Sequence, residues 1–206
     1  MTACLRLNYK WLVATRPANM SDSETEARYG AAAIALHWLT AALIVANLTL
    51  GLSMVPLPIS PRKLQWYGWH KWIGITVFLL TCMRLAWRWA EPAPAPVAMP
   101  EWQRRAASAT QVLLYALLLL IPLSGWVYSS ATGVQVVYLG LVPLPDLVPA
   151  DKALAGLLKA THLTLNFTLF VLVFVHSAAA LKHHFVDHDP ALTRMLPRTR
   201  PRESAG

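Results

Sequence analysis

The sequence predicts an all-α integral membrane protein, a four-helix bundle with both termini on the cytoplasmic side. Three observations carry that expectation. Of 206 residues, 56% are hydrophobic and only 14% charged, against about 25% charged in an average soluble domain. Four long apolar stretches each suffice to cross a hydrocarbon core about 30 Å thick. With an even number of spans and both ends inside, 13 of the 18 Lys and Arg fall on inner segments and five on outer ones, namely Arg62, Lys63, Lys71, Lys152 and Lys159, a clear positive-inside bias.

The elements follow in order. Residues 1–27 are read as an N-terminal extension, either a disordered tail or a start-site artefact with Met20 as the true start. Its longest apolar stretch, Trp11 to Ala14, is too short for a secretory signal. Arg28 and Arg62 bracket 33 uncharged residues, which predict a first helix over 30–54 closed by Pro56, Pro58 and Pro61. The second span, 64–90, is interrupted by Lys71, Arg84 and Arg88. It carries Trp66, Trp69 and Trp72 at one end and Trp87 and Trp89 at the other, aromatic belts beside which cations snorkel. The Pro-rich linker from Glu91 to Pro100 is extended. A third helix is expected over 102–130 with Pro122 as a kink, then a loop over 131–150 containing Pro143, Pro145 and Pro149. A fourth helix over 151–185 precedes a basic tail. The membrane domain is thus placed at 28–190 and a cytoplasmic tail at 191–206.

The net charge of +8 sits in loops and tails, where it orients spans, and this argues against a nucleic-acid partner. Cys4 and Cys82 are too far apart in topology to pair, and no C-x-x-C-H occurs for covalent haem attachment.

Histidines carry the chemistry. His162 and His176 lie fourteen residues apart in the run between Lys159 and Lys182. Fourteen steps of 100° return to within about 40° of one face, and the two imidazoles stand roughly 21 Å apart along the axis. Ionisable groups at membrane depth mark function by default. His37 enters with the first helix from inside, and His70 with the second from outside. Depth allows one scheme: His37 with His176 toward the inner leaflet, His70 with His162 toward the outer. Single membrane histidines commonly just hydrogen-bond across helices, and zinc asks for four ligands in one place. Two depth-matched pairs instead predict two bis-histidine b haems, with the four imidazoles as iron ligands. Iron with both axial positions filled favours electron transfer over oxygen activation.

Other residues keep two readings each. Arg84 meets a haem propionate or snorkels to the inner headgroups. Lys71 meets a propionate, attracts a small anionic donor, or snorkels at the interface; with Arg62, Lys63, Lys152 and Lys159 it makes the outer mouth positive. His183, seven residues past His176, is a proton donor or acceptor for quinone chemistry, its unperturbed pKa being near neutrality, or a surface histidine. His184 and His188 form an i, i+4 pair with metal-chelating spacing. Ser124 and Gly125 beside Pro122 leave room for a porphyrin face or simply pack.

At these residues the chain resembles the bacterial cytochrome b561 family of four-helix dihaem membrane proteins. The matching pieces are RYGAAAIALHW (Arg28 to Trp38), GWHKWIGI (Gly68 to Ile75), MRLAWR (Met83 to Arg88), LLLLIPLSGW (Leu117 to Trp126), THLTLNFTLFVLVFVHSAAALKHHF (Thr161 to Phe185) and LTRMLP (Leu192 to Pro197). The resemblance implies haem ligation by His37, His70, His162 and His176, a place in the bacterial inner membrane, and electron transfer from a periplasmic-side donor to membrane ubiquinone. The donor it suggests is superoxide. An alternative it also implies is a haem b anchor or relay subunit serving a partner dehydrogenase or hydrogenase. Family members often carry polar residues just before the first ligand, where this chain has Ala31, Ala32 and Ala33. A cofactor-free structural or transport bundle is the remaining rival.

Overall fold

A computed structural model of the protein describes residues 28–91 and 93–197. The N-terminal extension with Cys4 and the choice between Met1 and Met20 lie outside the described residues, as does the tail from residue 198 onward.

Four helices, α1 (Ala31–Met54), α2 (Pro61–Ala90), α3 (Glu101–Ala131) and α4 (Lys152–Phe185), are each long and apolar enough to cross a membrane. The protein is therefore an all-α membrane bundle. In α2 the start lies three residues earlier than expected. Ser60 accepts from the Lys63 backbone N–H at 3.3 Å and Pro61 takes the first helical position, where a missing N–H costs nothing. Asp151 caps α4 by accepting from Leu154 N at 2.9 Å. By contrast, α1 follows Gly30 at the N-cap position, with no side-chain cap. Pro122 lies inside α3, which continues through it to Ala131.

The expected loop between α3 and α4 contains a small antiparallel hairpin, β1 (Val137–Tyr138) with β2 (Val142–Pro143). Its turn places Leu139 and Gly140 at φ 53° and 71°. Trp72 donates its indole N–H to Val137 O at 2.7 Å, and Thr76 Oγ1 lies 3.0 Å from the Tyr138 hydroxyl, so the hairpin is docked on α2.

Packing runs from each helix to the next, α1 to α2, α2 to α3 and α3 to α4, whereas α1 and α4 have little backbone contact. The core joins Ile44, Val77, Leu117, Leu118, Ile121 and Leu169 from all four helices. Buried Thr40 and Thr81 satisfy their hydroxyls on Leu36 O and Val77 O one turn back, as an apolar surround requires. On the outer face of α4, Phe167, Phe170 and Phe174 are exposed, which suits a helix bathed in lipid.

The residues from 191, expected as a basic tail, fold back onto the bundle as far as Pro197. Arg194 is buried and donates to Ala95 O at 2.7 Å, and Arg28 donates to Thr193 O and Leu196 O, both at 2.6 Å. Sequence alone does not show that a backbone carbonyl of the α2–α3 linker lies within reach of the Arg194 guanidinium.

Candidate functional site

Two pairs of histidines face one another at opposite ends of the bundle. At the end where α1 joins α2 and α3 joins α4, here the hairpin end, the rings of His70 and His162 have centroids 6.3 Å apart, nearly perpendicular at 85°. At the other end, where α1 begins and α4 ends, His37 and His176 are 6.5 Å apart at 67°. Midway between them on α4, seven residues from each histidine, Leu169 is buried in the core.

The hairpin-end pair lines a cavity of about 320 Å³. Asn47, Lys71, Gly125 and Asn166 share its wall. His162 Nδ1 lies 2.9 Å from Ser124 Oγ, whose own hydrogen goes to Ile121 O at 2.8 Å. The hydroxyl oxygen is then the acceptor, His162 carries its proton on Nδ1, and Nε2 is left as a free lone pair. Two glycines make room for the rings. A Cβ on Gly125 would meet His162 Cε1 at 3.0 Å, and one on Gly51 would meet His70 Cε1 at 3.2 Å. The amide oxygen of Asn47 is buried without a hydrogen-bond partner at the cavity wall.

The second pair differs in its setting. His37 Nδ1 is buried with no hydrogen-bond partner, and the ring meets its neighbour Trp38 edge-on at 5.3 Å. Arg84 is close enough for its charge to act on both imidazoles. Its guanidinium stands 5.5 Å from the centre of the Tyr115 ring, within cation–π range.

Both pairs fit a metal held between two imidazoles. An imidazole nitrogen binds a transition metal at about 2 Å, so two ligands in line have ring centres about 6 Å apart. The free Nε2 of His162, the uncommitted Nδ1 of His37 and the space kept by Gly51 and Gly125 agree with that demand.

The other expected residues fall out unevenly. Lys71 is half-buried and donates to Ser129 Oγ at 2.7 Å, near the C-terminal end of α3, where the helix dipole favours a cation. His183 is drawn into a cluster: its Nδ1 lies 2.6 Å from Asp189 Oδ2 and 3.1 Å from Asp187 Oδ2. Lys182 bonds the same Asp187 at 2.5 Å, and chiefly that hydrogen bond holds the Asp187 carboxyl below the usual carboxylate range. Among the described residues the three-group cluster is His183, Asp187 and Asp189, while His184 packs edge-on against Phe185 at 4.7 Å. Sequence reading missed Gly51, Asn47 and Tyr115, whose roles depend on which helix face meets which neighbour.

The family model described as prokaryotic cytochrome b561 matches residues 28–198. The chain is 36% identical to cytochrome b561 homolog 2 of Escherichia coli (strain K12) over 86% of this chain and 95% of that protein. It is 30% identical to a protein of Yersinia pestis named probable superoxide oxidase, over 84% of this chain and 98% of the relative. A cytochrome b562 of Cereibacter sphaeroides is 29% identical over 82% and 93% of the two chains. With four membrane-spanning helices and a match across the whole described bundle, the chain belongs to the prokaryotic cytochrome b561 family, haem b membrane proteins of electron transfer.

Proposed function

We propose that this protein holds two b haems and carries electrons across the bacterial inner membrane, from a small anionic donor at the hairpin end to a quinone at the termini end. The observation that supports this best is the pair of opposed imidazole couples at the two ends of α4, with ring centres 6.3 and 6.5 Å apart. His70 and His162 are the ligands of one haem, His37 and His176 of the other. Bound between two imidazoles, haem supplies one-electron transfer with no open iron position for oxygen.

The chain's own residues set direction. Lys71 puts a positive charge in the wall of the hairpin-end cavity, which suits an anion that gives up one electron, superoxide being the smallest such donor. The relative named as a probable superoxide oxidase supports the same choice. Both termini lie on the cytoplasmic side by the distribution of Lys and Arg. At that end Arg84 offers a cation to a haem propionate, and His183, hydrogen-bonded to Asp189, is the group placed to pass a proton to quinone. Two donors, each losing one electron, reduce one quinone, which takes up two protons.

The test is a dithionite-reduced minus oxidised spectrum of the purified protein with haem counted per chain, followed by rapid mixing with superoxide and a soluble ubiquinone. Two low-spin b haems, one lost in His37→Ala or His176→Ala and the other in His70→Ala or His162→Ala, are expected. One haem, or none, overturns the proposal. Normal haems that superoxide fails to reduce would remove the donor assignment and leave the conduit.

A further inference from the structure

Past α4 the chain turns back and crosses the termini end as a strap, residues 190–197. Asp189 anchors its start. One carboxylate oxygen is 2.6 Å from His183 Nδ1, and the other accepts from Ala191 N at 2.8 Å. The 3-10 turn Thr193–Met195 then brings carbonyls to α1 and to the residues just before it. Arg28 donates to Thr193 O and Leu196 O, and the Trp38 indole donates to Met195 O, all at 2.6 Å.

We propose that this strap positions the termini-end histidine pair, with Trp38 as the residue that transmits its hold to His37. The reasoning starts from what is missing. The two rings of this pair sit on α1 and α4, which have little backbone contact, so direct helix packing does not set their separation. In addition, α1 begins without a side-chain cap, so its first turns lack the usual local anchor. The strap grows out of α4 and bonds to Arg28, just before α1, and to Trp38 within it, so its hydrogen bonds flank His37 along the chain. It therefore ties together two helices that direct packing leaves loose. Trp38 follows His37 directly and contacts its ring edge-on at 5.3 Å. Fixing the indole fixes the rotation of α1 about its axis, and with it the direction of the His37 ring. Outer partners of this kind orient ligands and tune the metal they hold.

A chemical consequence follows. A loosened strap lets water reach this end of the bundle and lets the ring turn. Oxidised haem carries one more positive charge than reduced haem, and water stabilises the more charged form. The affected haem becomes harder to reduce.

The proposal rests on the two-haem reading. It is tested by redox titration and low-spin EPR of the full-length, haem-loaded protein carrying Trp38→Phe, which keeps the ring and removes the indole donor. Arg28→Gln, outside the helix, serves as an independent second variant, and Arg28→Lys as its conservative partner. The expected result is a negative shift in the potential of one haem and a changed EPR signal for it, smaller in Arg28→Lys than in Arg28→Gln. His37→Ala identifies that haem as the one that disappears. If His37→Ala removes one haem while Trp38→Phe and Arg28→Gln leave its potential and signal unmoved, the strap proposal fails and the haem reading stands. Equal shifts in both haems would report general loosening and also overturn it. Should His37→Ala retain both haems, the reading beneath the proposal fails.

Discussion

Ser124 accepts a hydrogen bond from His162 across 2.9 Å because its own hydrogen is already committed to the Ile121 carbonyl. One hydroxyl on the helix without a histidine thereby selects the tautomer of an imidazole on the next. Ser124→Ala should weaken haem retention at the hairpin end by about 10- to 100-fold, the usual cost of losing such an outer partner. Competition of the purified variant with apomyoglobin for haem measures this, and unchanged retention at that site would dismiss the role.

Gly125→Ala and Gly51→Ala press a methyl group against His162 and His70 at 3.0 and 3.2 Å. Ring and helix backbone have little freedom to yield, so each should cost about 1–3 kcal/mol by overpacking, with Gly125→Ala the worse. Gly74→Ala is the internal control, since its nearest neighbour, Asn47 Nδ2, is 3.8 Å away. Haem per chain after purification should fall in the first two variants and hold in the third.

Leu169 is the buried residue of α4 and lies between the two histidine levels. Truncation to alanine leaves a cavity where four helices meet, a loss of roughly 2–5 kcal/mol. Unfolding in mixed detergent micelles gives the number. A change below one kcal/mol would mean that the bundle collapses freely around the gap, a possibility the close core of Ile44, Val77, Leu118 and Ile121 argues against.

The Lys182–Asp187 pair predicts a pH response at the end of α4. Asp187 is held below its ordinary value of 3.8, first by the hydrogen bond from Lys182. For a depressed carboxyl the stabilising contribution is present above the ordinary value and disappears as pH falls through the lowered one. The segment from Val186 to Pro197 should keep constant hydrogen-exchange protection, corrected for intrinsic rate, from neutrality down to the ordinary value. Protection should fall only below it, and Asp187→Asn should abolish that fall. Loss already well above the ordinary carboxylate value, or a fall that persists in Asp187→Asn, would overturn the assignment to this pair.

The bundle was legible because apolar runs of this length have few alternatives, and the histidines because a fourteen-residue interval nearly closes on the helical period. His37 opposite His176 and His70 opposite His162 needed only depth to be matched. What stayed hidden is instructive in physical terms. Pro61 reads as a loop closer until Ser60 is seen to cap the helix it begins. The strands Val137–Tyr138 and Val142–Pro143 are two residues each, too short for alternation to register. Gly51 and Tyr115 gain their roles from the neighbour they face, which no interval within one helix encodes. Arg194 and Asp189 find their partners, a linker carbonyl and His183, only through the chain's return after α4.

The first and last helices of this bundle scarcely touch, and across that seam the chain is closed by hydrogen bonds between residues 157 to 168 apart in sequence. Contacts of such long range carry the largest loop-closure cost and form after neighbouring helices have packed. A chain cut short after α4 would keep its four helices and lose the clasp that joins the first to the last.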